Sequence, residues 1–246
     1  MRTSRHFVVT GGGSGVGAAT AKVFAAAGHR VTIMGRREQP LIEQELSYAI
    51  CDVTDRDSVD AAFETARKAN GPVFGVVANA GAAESVPFAK MTADDLNAML
   101  SVNLIGVVNV WQAALPDLTE AKTGRLIAIA STAGLKGYPY VSAYCAAKHG
   151  VIGLVRALAK ELAHTGVTVN AICPGFVETP LLERSIANIA EKTGLSEADA
   201  SRRLRADNPQ NRFVQTREVA DAALWLASDG AASVNGHTLT LSGGEI

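Results

Sequence analysis

The stretch that most limits what this chain can become is its beginning. A β-branched run, HFVVT at residues 6–10, passes at once into Gly11-Gly12-Gly13-Ser14-Gly15-Val16-Gly17 and then into AATAKVFAAAG, which closes at Gly28. That order reads as strand, glycine turn and helix. Glycines let a backbone turn tightly and let a phosphate approach it, while a helix N-terminus offers free N–H groups and a favourable dipole. Between a strand and an Ala-rich helix, the cluster predicts a dinucleotide-binding turn with Gly11, Ser14, Gly15, Val16 and Gly17 at the ligand. The competing reading is a glycine-rich hairpin.

The rest of the chain continues the alternation. Strands fit at 6–10, 30–35, 48–51, 73–78, 124–130, 167–173 and 236–241, and helices at 16–28, 56–69, 92–116, 142–165 and 217–228. Most strands are continuous apolar runs such as VFGVVA and RLIAIA, the composition of a parallel sheet covered on both faces. The expected fold class is α/β: a single doubly wound parallel sheet of Rossmann type, with helices on both faces, over residues 1–246. Segment 178–213 departs from the alternation. It is a long polar insertion with helix-like pieces near 181–193 and 196–206, of a length common to lids and binding loops.

Composition narrows the partners. Hydrophobic residues make up 48% of the 246 and charged residues 19%, enough for a large core. A formal net charge of −1 gives no reason to expect nucleic acid or an anionic membrane. The three cysteines, Cys51, Cys145 and Cys173, lack metal or CxxC spacing, so no metal site is expected and they read as reduced packing residues. The apolar run after MRTSRH is too short for a secretory leader, and no stretch approaches the ~20 apolar residues of a membrane span. The expected location is cytoplasmic.

Three residues carry chemistry. Tyr144 and Lys148 stand four apart in SAYCAAKHGV, a spacing that puts phenol and ammonium on one helix face. A phenol titrates near pH ~10, and an adjacent fixed positive charge draws that value down towards the working range. Ser131 closes the apolar run IAIAS, where its hydroxyl could reach the same point. Together they describe a site that gives or takes a proton at a carbonyl oxygen. Alone, a Tyr and a Lys at this spacing are commonplace on surface helices.

TGGGSGVG at 10–17, CDV at 51–53, NAG at 79–81, Asn103, Ser131, YCAAK at 144–148 and PGFVET at 174–179 resemble the ordered motif set of the short-chain dehydrogenase/reductases. The resemblance spans essentially the whole chain. It implies a nicotinamide cofactor, with Ser131 donating to a developing alkoxide, Tyr144 moving the proton and Lys148 holding the nicotinamide ribose. Asn103 would support a water relay from Lys148. Asp52 and Val53 would flank the adenine, and Asn79, Ala80 and Gly81 would run beside the ribose, Asn79 also fixing the central strand. Pro174, Gly175 and Val177 would line the nicotinamide, with Thr179 near its carboxamide. Structural alternatives stay open: Asp52 as a turn residue, Asn103 as a cap or bend, Thr179 as a helix cap, and NAG as a plain turn.

The second strand speaks to cofactor choice. It reads RVTIMGRRE, with Gly35 where an NAD-type site usually carries an acid, and Arg36 and Arg37 next. A guanidinium binds a 2′-phosphate that a carboxylate would repel, so NADP(H) is expected over NAD(H), with Arg36 the main contact. Ser14 departs from this pattern, since many NADP-preferring relatives carry a basic residue there, and both arginines could equally be solvated charges.

Substrate identity is less legible. Ala82, Ala83, Leu135, Tyr138, Tyr140, Phe176 and Leu181 form a mostly apolar set suited to an alkyl or ring-bearing ketone. Arg202, Arg203, Arg205 and Arg212 could meet the phosphates of coenzyme A or a carrier arm, although Glu183, Glu191, Glu197, Asp199 and Asp207 nearly balance them. The chain most resembles the branch acting on 3-oxoacyl and 3-hydroxyacyl thioesters. The expected activity is NADPH-dependent reduction of such a ketone, linked to CoA or acyl carrier protein. The alternatives are a dehydrogenase of a small secondary alcohol, sugar or ring alcohol, and a catalytically silent cofactor-binding regulator. The family pairs the helices at 92–116 and 142–165 between subunits, which implies a homotetramer or homodimer.

Overall fold

The computed structural model describes residues 4–246. Its seven strands are β1 (His6–Thr10), β2 (Arg30–Gly35), β3 (Ser47–Ile50), β4 (Gly75–Ala78), β5 (Gly124–Ile129), β6 (Val167–Pro174) and β7 (Thr238–Leu241). All pair in parallel, in the order β3-β2-β1-β4-β5-β6-β7. The chain builds outward from β1 in one direction and then crosses to build the other half from β4. That reversal leaves a crevice at the carboxyl ends of β1 and β4, where open α/β sheets take their ligands.

Strand periodicity separates two cores. Along β1, β4 and β5, Val8, Val76 and Leu126 point to one layer, and Phe7, Val9, Val77 and Ile127 to the other. Helices α3 (Arg56–Asn70), α5 (Gly106–Glu120) and α6 (Ser142–Glu161) cover the first layer; α1 (Gly15–Ala26) and α9 (Thr216–Ala227) cover the second. Burial on both faces is why the central strands are continuous apolar runs with every residue buried. The insertion folds as α7 (Pro180–Thr193) and α8 (Glu197–Ala206), close to the two pieces expected.

Some expected boundaries move. The helix expected at 92–116 begins as α4 (Ala93–Leu100), widens into a π turn at Ser101–Ile105, and resumes as α5 to Glu120, past Pro116. Asn103 explains the break: its Nδ2 donates to Met99 O at 3.0 Å, the carbonyl a regular helix would give to the Asn103 amide. A five-residue helix, α2 (Glu38–Ile42), follows β2 and buries Leu41. It is too short to leave a periodic signal and carries Pro40. The fourth strand begins at Gly75 rather than 73.

One continuous helical stretch among the described residues, Ala93–Glu120, is long and apolar enough to cross a membrane, contrary to the sequence expectation. Its apolarity has a core explanation: Val107, Val110, Trp111, Ala114 and Leu118 are buried in the first layer.

The start of α1 is the tightest joint. A Cβ on Gly17 would lie 2.2 Å from Gly11 O and 2.5 Å from Asn79 Nδ2, and the first of these is backbone that cannot swing aside. Gly17→Ala should therefore lower the unfolding free energy in urea by about 2 kcal/mol or more. An unchanged midpoint would show that the joint is looser than its geometry.

Candidate active site

The glycine turn is fastened from β4. Thr10 Oγ1 accepts from the amides of Asn79 and Ala80, both at 3.0 Å, and Asn79 Nδ2 returns to Thr10 O at 2.9 Å and Gly11 O at 3.3 Å. The NAG motif thus locks the ends of the two central strands. Gly11 and Gly15 take left-handed φ values of 64° and 53°. Ser14 makes no capping bond to α1, whose first turn holds no acid. A Cβ on Gly15 would lie 3.3 Å from Thr179 Cγ2, so the turn faces the segment after β6 across the crevice. An acid-free helix start, glycine backbone and open amides fit a pyrophosphate.

Arg36 and Arg37 are exposed at the end of β2, and neither makes a hydrogen bond or ion pair among the described residues. Asp52 lies within electrostatic reach of Arg36. Its carboxyl sits below the ordinary range mainly because Oδ1 accepts from the Thr54 amide at 3.0 Å and the Thr54 hydroxyl at 2.8 Å, with Arg36 a lesser cause. Asp52 is thus a turn residue here. Val53 is buried against Gly106 of α5, and its carbonyl accepts from Asn109.

Ser131 follows β5 directly, and its Oγ accepts from the Ala133 amide at 3.1 Å. The Tyr144 phenol, from the first turn of α6, lies within electrostatic reach of the Ser131 hydroxyl. One turn on, Lys148 is only 5% exposed; its Nζ donates to Ile129 O at 2.9 Å and lies 5.6 Å from the Tyr144 ring centroid. The fold brings the three side chains near one another.

The electrostatics differ from expectation. Burial pushes the Tyr144 phenol up to about 12, and the neighbouring Ser131 hydroxyl only partly opposes it. Burial also pushes the Lys148 ammonium down to about 8. Lys148 does not pull the phenol towards neutrality here, because its ammonium is directed at Ile129 O and desolvation outweighs it. The phenol is therefore held protonated at neutral pH. Cys173, beside Lys148, is pushed up to about 11 by burial, so it stays a thiol.

Asn103 is fully buried, and its side chain serves the backbone. Nδ2 donates to Ala82 O at 2.9 Å as well as to Met99 O, and Oδ1 accepts from the Ala82 amide at 3.3 Å. It ties the loop after β4 to the π turn, the bending role that the sequence left open. Thr179 caps α7 by accepting from the Leu182 amide at 3.3 Å and donates to Val177 O at 3.2 Å. Pro174 ends β6, and the Gly175 amide bonds Leu241 O at 3.0 Å.

Of the expected pocket wall, Tyr138 and Phe176 meet edge-on with centroids 6.1 Å apart, while Tyr140 is 64% exposed. Three arginines of the 178–213 insertion are engaged locally: Arg202 with Asp199, Arg212 with Glu218, and Arg205 over the Phe213 ring. Two charged residues that motif reading missed meet beside Tyr138, Lys136 and Glu245. Only the fold brings them together, 109 positions apart in sequence.

A family profile described as short chain dehydrogenase matches residues 5–190. The chain belongs to the short chain dehydrogenases. This dehydrogenase is 37% identical to a Streptomyces virginiae protein described as a ketoacyl reductase of the monensin polyketide synthase, over 98% of its own length and 97% of that protein's. It is 34% identical to a 3-oxoacyl-(acyl-carrier-protein) reductase of Thermotoga maritima, over 96% of each chain. It superposes on a crystal structure of an actinorhodin polyketide ketoreductase variant with NADPH with a TM-score of 0.95, at 34% identity, covering 100% of this chain and 99% of that one. It is an oxidoreductase of the C=O/CH–OH pair.

The depressed Lys148 value has a consequence for stability. Below pH 8 both folded and unfolded chains hold the lysine proton, and the cost of burying the charge is felt in full. Between about 8 and 10.5 the unfolded chain holds more protons, so stability rises with pH through that window. Over this range, wild type should gain on the order of 3 kcal/mol relative to Lys148→Met in urea unfolding. A pH-independent difference would show that the ammonium is solvated.

Proposed function

We propose that this chain reduces a ketone to a secondary alcohol with NADP(H), and that the ketone is a 3-oxoacyl thioester carried by CoA or acyl carrier protein. The observation that carries the reading is the buried Tyr144 phenol, shifted towards its protonated form beside Ser131, with a buried Lys148 one helix turn on. A nicotinamide bound at the carboxyl ends of the strands supplies the hydride. Ser131 holds the carbonyl oxygen and steadies the charge that develops there, a contribution of ~3 kcal/mol for one well-placed donor. Tyr144 then delivers its proton to that oxygen, the direction a phenol held protonated favours. Lys148 sits one turn behind the phenol, with its ammonium on Ile129 O, and would hold the nicotinamide ribose. Asn103 holds the π turn and Ala82 beside the site, where the family's water relay from Lys148 would run.

Gly11, Ser14, Gly15, Val16 and Gly17 would cradle the pyrophosphate, and Asp52, Val53, Asn79, Ala80 and Gly81 would border the adenosine and ribose. Pro174, Gly175, Val177 and Thr179 would enclose the nicotinamide. The unengaged guanidiniums of Arg36 and Arg37 support NADP(H) over NAD(H). Segment 178–213 is read as the lid, joined to the opposite wall where Lys192 Nζ donates to Ser85 O at 3.3 Å. Buried free thiols support a cytoplasmic setting, and exposed Ile105 on the α4–α5 stretch supports a homotetramer or homodimer.

The decisive assay is NADPH consumption with acetoacetyl-CoA, run beside NADH and the Tyr144→Phe variant. NADPH-selective turnover that Tyr144→Phe lowers by about 10³-fold or more, with cofactor affinity nearly intact, is expected. Full activity in that variant would sink the assignment of Tyr144. Arg36→Asp should cut the NADPH-over-NADH preference by at least about tenfold, and an unchanged preference would remove Arg36 from the 2′-phosphate site.

A further inference from the structure

Glu245, in the segment after β7, has a side chain only 4% exposed. Its Oε1 accepts from the Tyr138 hydroxyl at 2.6 Å and pairs with Lys136 Nζ at 2.5 Å. A Cβ on Gly175 would lie 3.3 Å from its Oε2. The carboxylate therefore stands between the turn after β5, which carries Ser131, and the turn after β6.

The proton count gives the network a direction. Tyr138 OH is also 2.7 Å from Thr132 Oγ1. A phenol has one proton and a carboxylate has none to give, so Tyr138 donates to Glu245 and Thr132 donates to Tyr138. Thr132 is buried and adjoins Ser131. The Lys136 ammonium also lies 4.7 Å from the centroid of the Tyr138 ring, which meets the Phe176 ring in a T-shaped contact. Tyr138 thus has both its hydroxyl and its ring engaged, and its contacts with Glu245 and Lys136 both run through one carboxylate. Burying that carboxylate is costly, and replacing such a pair with apolar residues is often neutral or stabilising. Stability is a weak reason for its presence.

We propose that Glu245 is a positioning residue that sets which acyl groups the site admits. By holding Tyr138 and Lys136 it fixes the Tyr138 ring against Phe176 as a rigid wall, which restricts the length of chain beyond the reacting ketone. This rests on the ketoreductase reading above.

The test compares wild type, Glu245→Ala, Glu245→Gln, Tyr138→Phe and Glu245→Ala/Tyr138→Phe, using NADPH with acetoacetyl-CoA and 3-oxooctanoyl-CoA. Freeing the wall should raise the ratio of kcat/KM for the longer ketone over the shorter by about tenfold in Glu245→Ala, chiefly through KM of the longer one. Tyr138→Phe should give the same shift and the double variant no more, because both act through one bond. Glu245→Gln keeps an acceptor for Tyr138 and should stay within about threefold of wild type. Additive effects, or equal losses on both ketones with altered NADPH affinity, would overturn the proposal. Hydrogen exchange reads the coupling without any substrate. The amides of Gly134, Leu135 and Lys136, which bond Ser131 O and Thr132 O, should exchange at least about tenfold faster in Glu245→Ala, and unchanged protection overturns the proposal. Wild type inactive on both ketones would sink the ketoreductase reading instead, with the exchange result still deciding whether Glu245 holds the turn.

Discussion

The lock between Thr10 and Asn79 is the constraint on which the rest of the molecule depends. One hydroxyl accepts two backbone amides from the end of β4, and one side-chain amide returns to two carbonyls of the glycine turn. Nothing larger than glycine fits at position 17 beneath that arrangement. The lock joins the strands at which chain direction across the sheet reverses, so it sets the width and floor of the crevice. The cofactor turn and both flanking loops take their positions from it.

Above that floor, burial governs the chemistry. Tyr144 and Lys148 both lie where charge is disfavoured, and each is shifted towards its neutral form. A phenol held towards its protonated form beside Ser131 is the state that the proposed proton donation requires. Desolvation also means that a charge developing at the carbonyl oxygen meets little competing water, which strengthens the pull of the two hydroxyls.

The surrounding loops are held by polar side chains acting on backbone or on one another. Asn103 opens the helix into a π turn and grips Ala82; Thr179 caps α7 and touches the glycine turn; Glu245 gathers Lys136 and Tyr138. These contacts stitch the loops after β4, β5 and β6 to the body of the fold. The 178–213 insertion, by contrast, spends most of its arginines on local partners.

Periodicity and motif spacing made the sheet, its two helical layers and the Ser131, Tyr144 and Lys148 convergence legible, because each depends on residues near in sequence or on a repeated pattern of burial. The π turn was not legible: an Asn inside an apolar helical run looks the same whether it faces solvent or captures a carbonyl. The five-residue α2 left too short a pattern to read. The direction of the Tyr144 shift also escaped, since spacing reports that a lysine is near but not how dry the site is. Glu245 is the clearest case. In LSGGEI it is one acid among small residues, and only the fold carries it to Lys136 and Tyr138. Sequence by itself determined the architecture and the reacting groups, which arise from local periodicity and short spacings. Tertiary structure alone decided the direction of the Tyr144 and Lys148 shifts and the joining of Lys136, Tyr138 and Glu245, because desolvation and long-range ion pairing exist only once distant segments are packed together.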